Sequence, residues 1–455
     1  MTDEFDAPAR RRVLKAIGAT ALASGLAGCG GDGGDGSDGG DGTTATDADG
    51  GTDTPAGTTP DETATEPPNE GTETTDEPPE QVDPLGDTAW PMTGYDAGYT
   101  NAHPNVAALG GELTERWTVE RSVENRGGYQ DLPIAVGSGH VVTASPGGTV
   151  VAFDATDGTE AWTYDVGERG PPSGGITLFD DVVYVASGAD DEPKYALDVE
   201  TGEVRWENAD GGDFDPVVYD GRLYELGLNE VYARDLQSGD VLWEVRRVAG
   251  VRNLAVADGT LYTQVEREPS DWQVLAIDAA SGDERWVSDG VSLDGPRPTH
   301  LSADAEGVYV TGGDGTVWAF DAAGGSLDWT VNHYTPDETG SVKPEQPAVV
   351  GPDNVYIGGY NLHALSRADG SEQWAIGEQY DTRDTVAYAD GEVYQAFDPG
   401  LVAYDPADGS ELWSVEIPVD PGCVADVAVT DGAAYLATDD CASAEPSIAV
   451  LEVDE

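Results

Sequence analysis

Side chains able to do chemistry are present in this 455-residue chain, but few have a usable spacing. The three cysteines, Cys29, Cys423 and Cys441, form no C-x-x-C pair, which excludes a zinc module and a disulfide-rich scaffold. The five histidines, His103, His140, His300, His333 and His363, show no H-E-x-x-H or other metal-ligand spacing. No G-x-S-x-G elbow occurs, and the best candidate for a phosphate cradle, residues 311–315, reads as a hairpin turn. Carboxylates are abundant: 88 Asp and Glu stand against 21 Lys and Arg, a net charge of −67, so none stands out as a base or calcium ligand. That balance excludes nucleic acid as a partner, because phosphate binding needs clustered Lys and Arg. The excess charge repels itself in dilute buffer, while molar salt shortens the Debye length to ~3 Å and screens it. The composition is similar to that of proteins from salt-loving archaea and points to brine as the solvent.

Cys29 has the most informative surroundings. Arg10-Arg11-Arg12-Val13-Leu14-Lys15 precedes a short apolar stretch, 16–27. A basic segment followed by so short an apolar one reads as a signal peptide. Its paired arginines resemble the twin-arginine export signal. Leu26-Ala27-Gly28-Cys29 resembles a lipobox, in which the cysteine is lipidated and becomes N-terminal after cleavage. Residues 1–29 are thus expected to export the chain and leave it lipid-anchored on the outer face of the cytoplasmic membrane. Residues 30–84 hold no Lys, Arg or aromatic residue and are mostly Gly, Asp, Thr, Glu and Pro. They cannot bury enough apolar surface to offset ordering entropy, so a disordered acidic tether is expected there. No apolar run approaches ~20 residues, which excludes a polytopic membrane protein.

The elements that must position everything else are repeats. Measured back from Trp162, Trp206, Trp243, Trp286, Trp329, Trp374 and Trp413, position −10 is always Ala and position −4 always Gly. Position −8 is Asp in six cases and Ser366 in the seventh; Trp117 ends an incomplete copy at the front. Within each period four strand-like runs alternate with Asp-Gly or Ser-Gly turns, which are hairpin signals. The Gly supplies the positive φ of the third-to-fourth turn, and the Trp caps its sheet against the next. Four antiparallel strands per period make a β-propeller blade. Eight first strands can be read, near Leu132, Gly175, Asp215, Arg252, Pro298, Gln346, Asp384 and Val424. The last set lacks a Trp and the first has only a fourth strand, so the two fragments complete one blade. Residues 85–455 are therefore expected to form an all-β, eight-bladed propeller, closed by pairing of an N-terminal strand with the C-terminal blade.

The A-x-D-x-x-x-G-x-x-x-W pattern, with the lead-in Trp90-Pro91-Met92-Thr93-Gly94-Tyr95-Asp96, resembles the PQQ-enzyme-type repeat. Residues 88–455 are similar to the family of PQQ-like β-propeller proteins. That family spans quinoprotein dehydrogenases and non-enzymatic scaffolds such as BamB-like assembly lipoproteins, and fold alone does not choose between them. The resemblance implies that an enzyme would carry a quinone, calcium, a catalytic carboxylate, a disulfide between adjacent cysteines and large insertions around the site. This chain has no Cys-Cys pair and its repeats are near minimal. The expectation is a membrane-anchored extracellular scaffold without a cofactor, binding an envelope or extracellular protein or an anionic ligand. The alternatives are a PQQ- and calcium-dependent dehydrogenase, or a solute or polysaccharide binder in the central channel.

Basic residues mark a candidate binding face. In an antiparallel blade the fourth-to-first and second-to-third connections emerge on one face, and the other two turns on the opposite one. Arg121, Arg126, Arg169, Arg246, Arg247, Arg252, Arg297, Lys343 and Arg383 are assigned to fourth-to-first connections, with Tyr129, His300 and His333 in or beside them. The opposite face is mostly Asp-Gly turns, such as Asp220-Gly221, Asp258-Gly259 and Asp390-Gly391. Two readings remain: each basic residue pairs with a local carboxylate, or together they form a relatively basic funnel for an anionic ligand or acidic partner.

Cys423 and Cys441 flank the first hairpin of the closing blade, whose turn is Asp431-Gly432. If Thr430 faces Ala433, Cys423 lies opposite Asp440, one residue from Cys441, within disulfide reach if the strand ends bend. An exported chain meets an oxidising solvent, and such a loop closure contributes ~3 kcal/mol. Thiol labelling of the denatured, unreduced protein is expected to find neither cysteine reactive. Two reactive thiols would refute the pair.

Overall fold

A computed structural model describes residues 89–92, 94–103, 106–111, 113–120, 133–145, 148–166, 175–185, 193–208, 216–227, 229–246, 250–268, 271–288, 298–332, 347–359, 361–377, 382–397, 400–416, 423–439 and 447–453. All of them fall in one compact unit, 75–455. They form eight antiparallel sheets of four strands each, one of which gains a short fifth strand. The innermost strands are Ile134–Gly137, Ile176–Phe179, Val217–Tyr219, Val251–Ala257, Pro298–Ala303, Val349–Val350, Thr382–Ala389 and Cys423–Thr430, blades 1 to 8. Each touches the innermost strand of both neighbouring blades, and blade 8 touches blade 1, so the ring closes. The expected eight-bladed propeller is the observed one, and no described residue is helical.

The repeat motif acts across the strands of a blade. In blade 3, Tyr224 pairs with Ala233, which pairs with Trp243. The same row recurs as Tyr262–Ala276–Trp286, Tyr309–Ala319–Trp329 and Tyr356–Ala364–Trp374. The small Ala lets the flanking rings lean over it, and the Tyr224 and Trp243 ring centres lie 5.9 Å apart. The Asp at −8 organises the next turn: Asp278 Oδ1 accepts the backbone N–H of Ser281 at 2.8 Å, and Asp235 does the same for Ser238.

That turn is where the next blade's glycine meets the indole. A Cβ built on Gly325, whose φ is +70°, would lie 2.3 Å from Trp286 of the blade before. Gly158, Gly202, Gly239, Gly282, Gly370 and Gly409 face Trp117, Trp162, Trp206, Trp243, Trp329 and Trp374 in the same way. Each indole N–H also donates to a backbone carbonyl of that turn, as Trp286 Nε1 does to Ala322 O at 3.0 Å. In blades 2 to 4 the tyrosine hydroxyl donates to the same oxygen: Tyr224 Oη and Trp243 Nε1 lie 3.0 and 3.1 Å from Ala279 O.

Closure is made by Leu113–Glu120, which pairs antiparallel with Ser447–Val453 and supplies the outer strand of blade 8. Here the third and fourth strands come from distant parts of the chain, so no turn carbonyl exists for Trp413. Its ring packs on Gly111 instead, and Nε1 donates to Glu392 Oε2 at 3.2 Å. The same carboxylate oxygen accepts Tyr394 Oη at 2.8 Å, and Tyr394 Oη accepts the Leu109 N–H at 3.0 Å. In this blade Cys423 faces Asp439 rather than Asp440, because a bulge between Val424 and Asp426 adds a residue to one strand. Cys441 lies outside the described residues.

The sequence treats Trp90-Pro91-Met92 only as a lead-in. Residues 89–92 and 94–103 instead run round the inside of the ring as a strap, visiting the blades in order. The inner-strand N–H groups of Val136, Leu178, Val256, Ala303, Val350 and Tyr388 donate to the carbonyls of Trp90, Pro91, Ala97, Gly98, Thr100 and Asn101. Those donors belong to blades 1, 2, 4, 5, 6 and 7; at blade 3, Met92 and Ala97 pack with Val217. Ala102–His103 then pairs parallel with Tyr388–Ala389. Every contact lies near the C-terminal end of an inner strand, so the strap crosses the channel on the face of the Asp-Gly turns. The tight circle needs left-handed backbone at Tyr95, Tyr99 and Asn101, with φ of 70°, 53° and 49°. Asp96 braces it: its carboxylate accepts Gly98 N at 3.1 Å, Thr100 N at 2.9 Å and Thr100 Oγ1 at 2.8 Å.

Two outcomes test the strap. A Cβ on Gly98 would lie 2.0 Å from the Ala303 carbonyl oxygen. Gly98→Ala is therefore expected to cost about 1–3 kcal/mol in denaturant melts, while Gly377→Ala, with its nearest neighbour 3.8 Å away, leaves stability unchanged. Burial raises the Asp96 carboxyl to about 6, with nearby Asp304 adding to the rise and the three hydrogen bonds opposing it. A carboxyl raised in the folded state binds more protons there than unfolded, so its contribution to stability falls as pH rises from about 4 to 6. Melts of Asp96→Asn across that window should fall less steeply than those of the parent protein. Parallel curves would remove Asp96 from the titration.

Candidate functional site

A cavity of about 90 Å³ lies on the side of the ring formed by blades 3 to 6, against Tyr99 of the strap. Tyr99 of the strap is its floor. Leu226, Leu254, Leu301 and Pro347, from blades 3 to 6, supply apolar walls, and Asn253 and His300 the polar groups. Asn253 and His300 both sit at bulges in their inner strands, where the extra residue turns a side chain out of the ladder. Asn253 Nδ2 donates to Gln264 Oε1 at 2.9 Å and to Thr299 O at 2.8 Å, tying blade 4 to blade 5. The inner strand of blade 4 thus reaches the cavity already fixed.

Beside it, the Arg252 guanidinium lies 5.5 Å from the centre of the Trp272 ring. Trp272 is buried in the same cluster as Leu301, which links the pair to the cavity wall. The second and third strands of blade 4, Thr260–Glu268 and Asp271–Asp278, carry Trp272 on a hairpin longer than the others. Such a cation–π contact holds the guanidinium flat and contributes ~0.5–1 kcal/mol at exposed sites.

The candidate face divides on its described members. Arg246, at the exposed end of an outer strand, forms an ion pair with Glu244. Arg252 has no carboxylate partner among the described residues. Arg383 is placed by its backbone alone, in the inner strand of blade 7. Arg121, Arg126, Tyr129, Arg169, Arg247, Arg297, His333 and Lys343 lie outside the described residues, as does Cys29. Of the other histidines, His103 is buried in the strap and stacks on Tyr95 at 4.3 Å, His140 meets the Ser138 carbonyl, and His363 pairs with Glu372. Trp117, Trp162, Trp206, Trp243, Trp286, Trp329, Trp374 and Trp413 all lie between blades, away from the cavity.

Sequence reasoning missed Tyr99, Asn253 and Trp272. Trp272 carried a legible signal, since it is a tryptophan outside the repeat register. Tyr99 lies in the lead-in, whose path no spacing rule gives, and Asn253 depends on a bulge.

A quinone cofactor of the PQQ type is a planar tricyclic tricarboxylate. The cavity does not fit it: about 90 Å³ is too small, and no Lys or Arg lines it. Among the described residues no group of three or more His, Cys, Asp or Glu is placed to hold a metal ion.

Solved structures share the fold at low identity. The quinohemoprotein alcohol dehydrogenase of Comamonas testosteroni is 16% identical, with a TM-score of 0.64 over 80% of each chain. BamB of Moraxella catarrhalis is 15% identical, with a TM-score of 0.54 over 75% of this chain and 97% of that one. The serine/threonine-protein kinase AfsK of Streptomyces coelicolor is 28% identical over 269 residues, and the match spans about a third (32%) of that protein. The family model of the outer membrane protein assembly factor BamB matches residues 105–244, 227–378 and 359–452, and the chain belongs to this family of PQQ-type repeat β-propellers.

Proposed function

We propose that this protein is an exported, lipid-anchored propeller that works as a non-enzymatic protein-interaction scaffold in a high-salt envelope. Its working face is the one opposite the strap. The observation that carries the reading is the strap itself: at one end of the channel, which a through-channel ligand would need, residues 89–92 and 94–103 are hydrogen-bonded to six inner strands. Among the described residues, blades 3 to 6 form a socket of about 90 Å³ with apolar walls. Such a socket suits an anchoring side chain better than a whole quinone or sugar. Family membership alongside BamB, described as an assembly factor, supports the same reading. Export and anchoring rest on the twin-arginine-type segment and on Cys29.

Two measurements test it. Titration with PQQ and calcium, followed by quinone absorbance in molar salt, is expected to give no saturable binding; stoichiometric uptake would move the protein to the dehydrogenases. Cys29→Ser is expected to shift the protein from the membrane fraction to the medium, since a two-chain anchor holds where one chain is marginal. Equal membrane retention of the serine variant would overturn the anchor.

A further inference from the structure

We propose that this cavity and the Arg252–Trp272 pair form one socket for an acidic–aliphatic peptide segment of a protein partner. A carboxylate of that segment sets against Arg252, and a neighbouring Leu, Ile or Val side chain fills the cavity. This rests on the scaffold reading and adds to it a place and a recognition chemistry.

The charge argument comes from contrast. Arg116, Arg205, Arg234, Arg246, Arg285 and Arg367 each pair with an Asp or Glu of this chain. With 88 carboxylates available, that is the common fate of a guanidinium here; Arg222, the other described arginine side chain without an ion pair, lies beside Tyr224 within its own blade. Half-buried Arg252 makes a ring contact but no ion pair among the described residues. Its edge N–H groups remain a planar fork, the geometry that takes a carboxylate in bidentate fashion. In molar salt the long-range repulsion of a net −67 protein is screened within ~3 Å, so an acidic segment can reach it.

The size argument fixes the second half of the occupant. The cavity, about 90 Å³, is smaller than the ~150 Å³ apolar cavity that accepts benzene. One branched aliphatic side chain matches that size and the apolar lining of Leu226, Leu254 and Leu301 better than an aromatic ring does. The strap closes the far side with Tyr99, so the segment enters from the face opposite the Asp-Gly turns. Arg252 precedes the cavity residue Asn253 in the chain, and Trp272 shares a packed cluster with the cavity residue Leu301. The proposal therefore sets the charged and apolar groups on neighbouring residues of the ligand. The Asn253 bridge between blades presets the wall, which lowers the ordering cost of binding.

The test uses full-length protein labelled with fluorotryptophan, in molar salt, with the Trp272 resonance assigned from Trp272→Phe. Four blocked pentapeptides are titrated: Gly-Asp-Leu-Ser-Gly, and versions with Asn for Asp, Ala for Leu, and Trp for Leu. The Asp-Leu peptide should move the Trp272 signal and bind about tenfold or more tightly than each control, the scale on which a filled or empty side-chain pocket discriminates. Arg252→Gln should reduce the Asp-Leu affinity to that of the Asn-Leu peptide and leave the Leu-over-Ala preference intact. Equal affinity for all four peptides on the parent protein, which involves no refolding risk, overturns the proposal. So does an Asp preference that survives Arg252→Gln. Failure here with no uptake of PQQ leaves the scaffold reading standing, whereas uptake of PQQ and calcium removes the scaffold reading itself.

Discussion

The architecture depends on a tryptophan indole lying flat on the glycine of the next blade. A sheet of four short strands cannot bury both its faces alone, and a single blade would be marginal in water. Each indole brings a large apolar area to the seam, and its N–H fixes the angle between sheets by donating to a carbonyl there. Glycine is required because any Cβ would enter the ring, at 2.3–3.0 Å for the seven motif glycines. The residue type and the packing are therefore one constraint seen from two blades. Asp at −8 belongs to it as well, since its turn bonds present the glycine in the left-handed conformation.

Repeating that contact seven times leaves one seam without its standard parts. At blade 8 the third and fourth strands come from the two distant chain segments, so there is no turn to offer either the carbonyl or the glycine. The molecule rebuilds the contact from Gly111, Glu392, Tyr394 and Leu109. A carboxylate oxygen now does the work of a backbone oxygen. An unpaired indole N–H or tyrosine hydroxyl at such a seam would cost ~1–3 kcal/mol each, so Glu392 satisfies two donors and the tyrosine hydroxyl passes the relay on to a third, the Leu109 N–H. Arg116 reinforces the same blade by pairing with Glu452 across its closing strands and bonding Thr156 O of blade 1.

The strap turns this ring into a one-sided object. Inner strands of a propeller end with N–H groups directed at the axis, and buried amides need partners. A chain segment passing round the axis supplies one carbonyl after another. The consequence is geometric: on one face the described strap bonds to the inner strands of six blades. Loops and strand ends on a rigid scaffold are where recognition chemistry collects.

Residue spacing alone specifies the blade. Ala, Asp, Gly and Trp at fixed offsets act within hairpins and between neighbours of constant spacing, so their period survives in one dimension. Blade number and the closing pair of segments followed from counting the tryptophans. The tyrosine of the second strand, in Tyr184, Tyr224, Tyr262, Tyr309, Tyr356 and Tyr394, was equally periodic, but its meaning required seeing that its hydroxyl can share a carbonyl with the indole. The strap was beyond reach, because one non-repeating segment contacts blades separated by up to about three hundred residues, and no local pattern records such contacts. The site was half legible. Arg252 and His300 could be assigned to a face by strand order. That Arg252 meets a tryptophan and no carboxylate among the described residues depends on side-chain directions set by bulges at Arg252 and Pro298 and by a longer hairpin in blade 4. Register errors of one residue turn a side chain to the opposite face, so only the folded ring decides them.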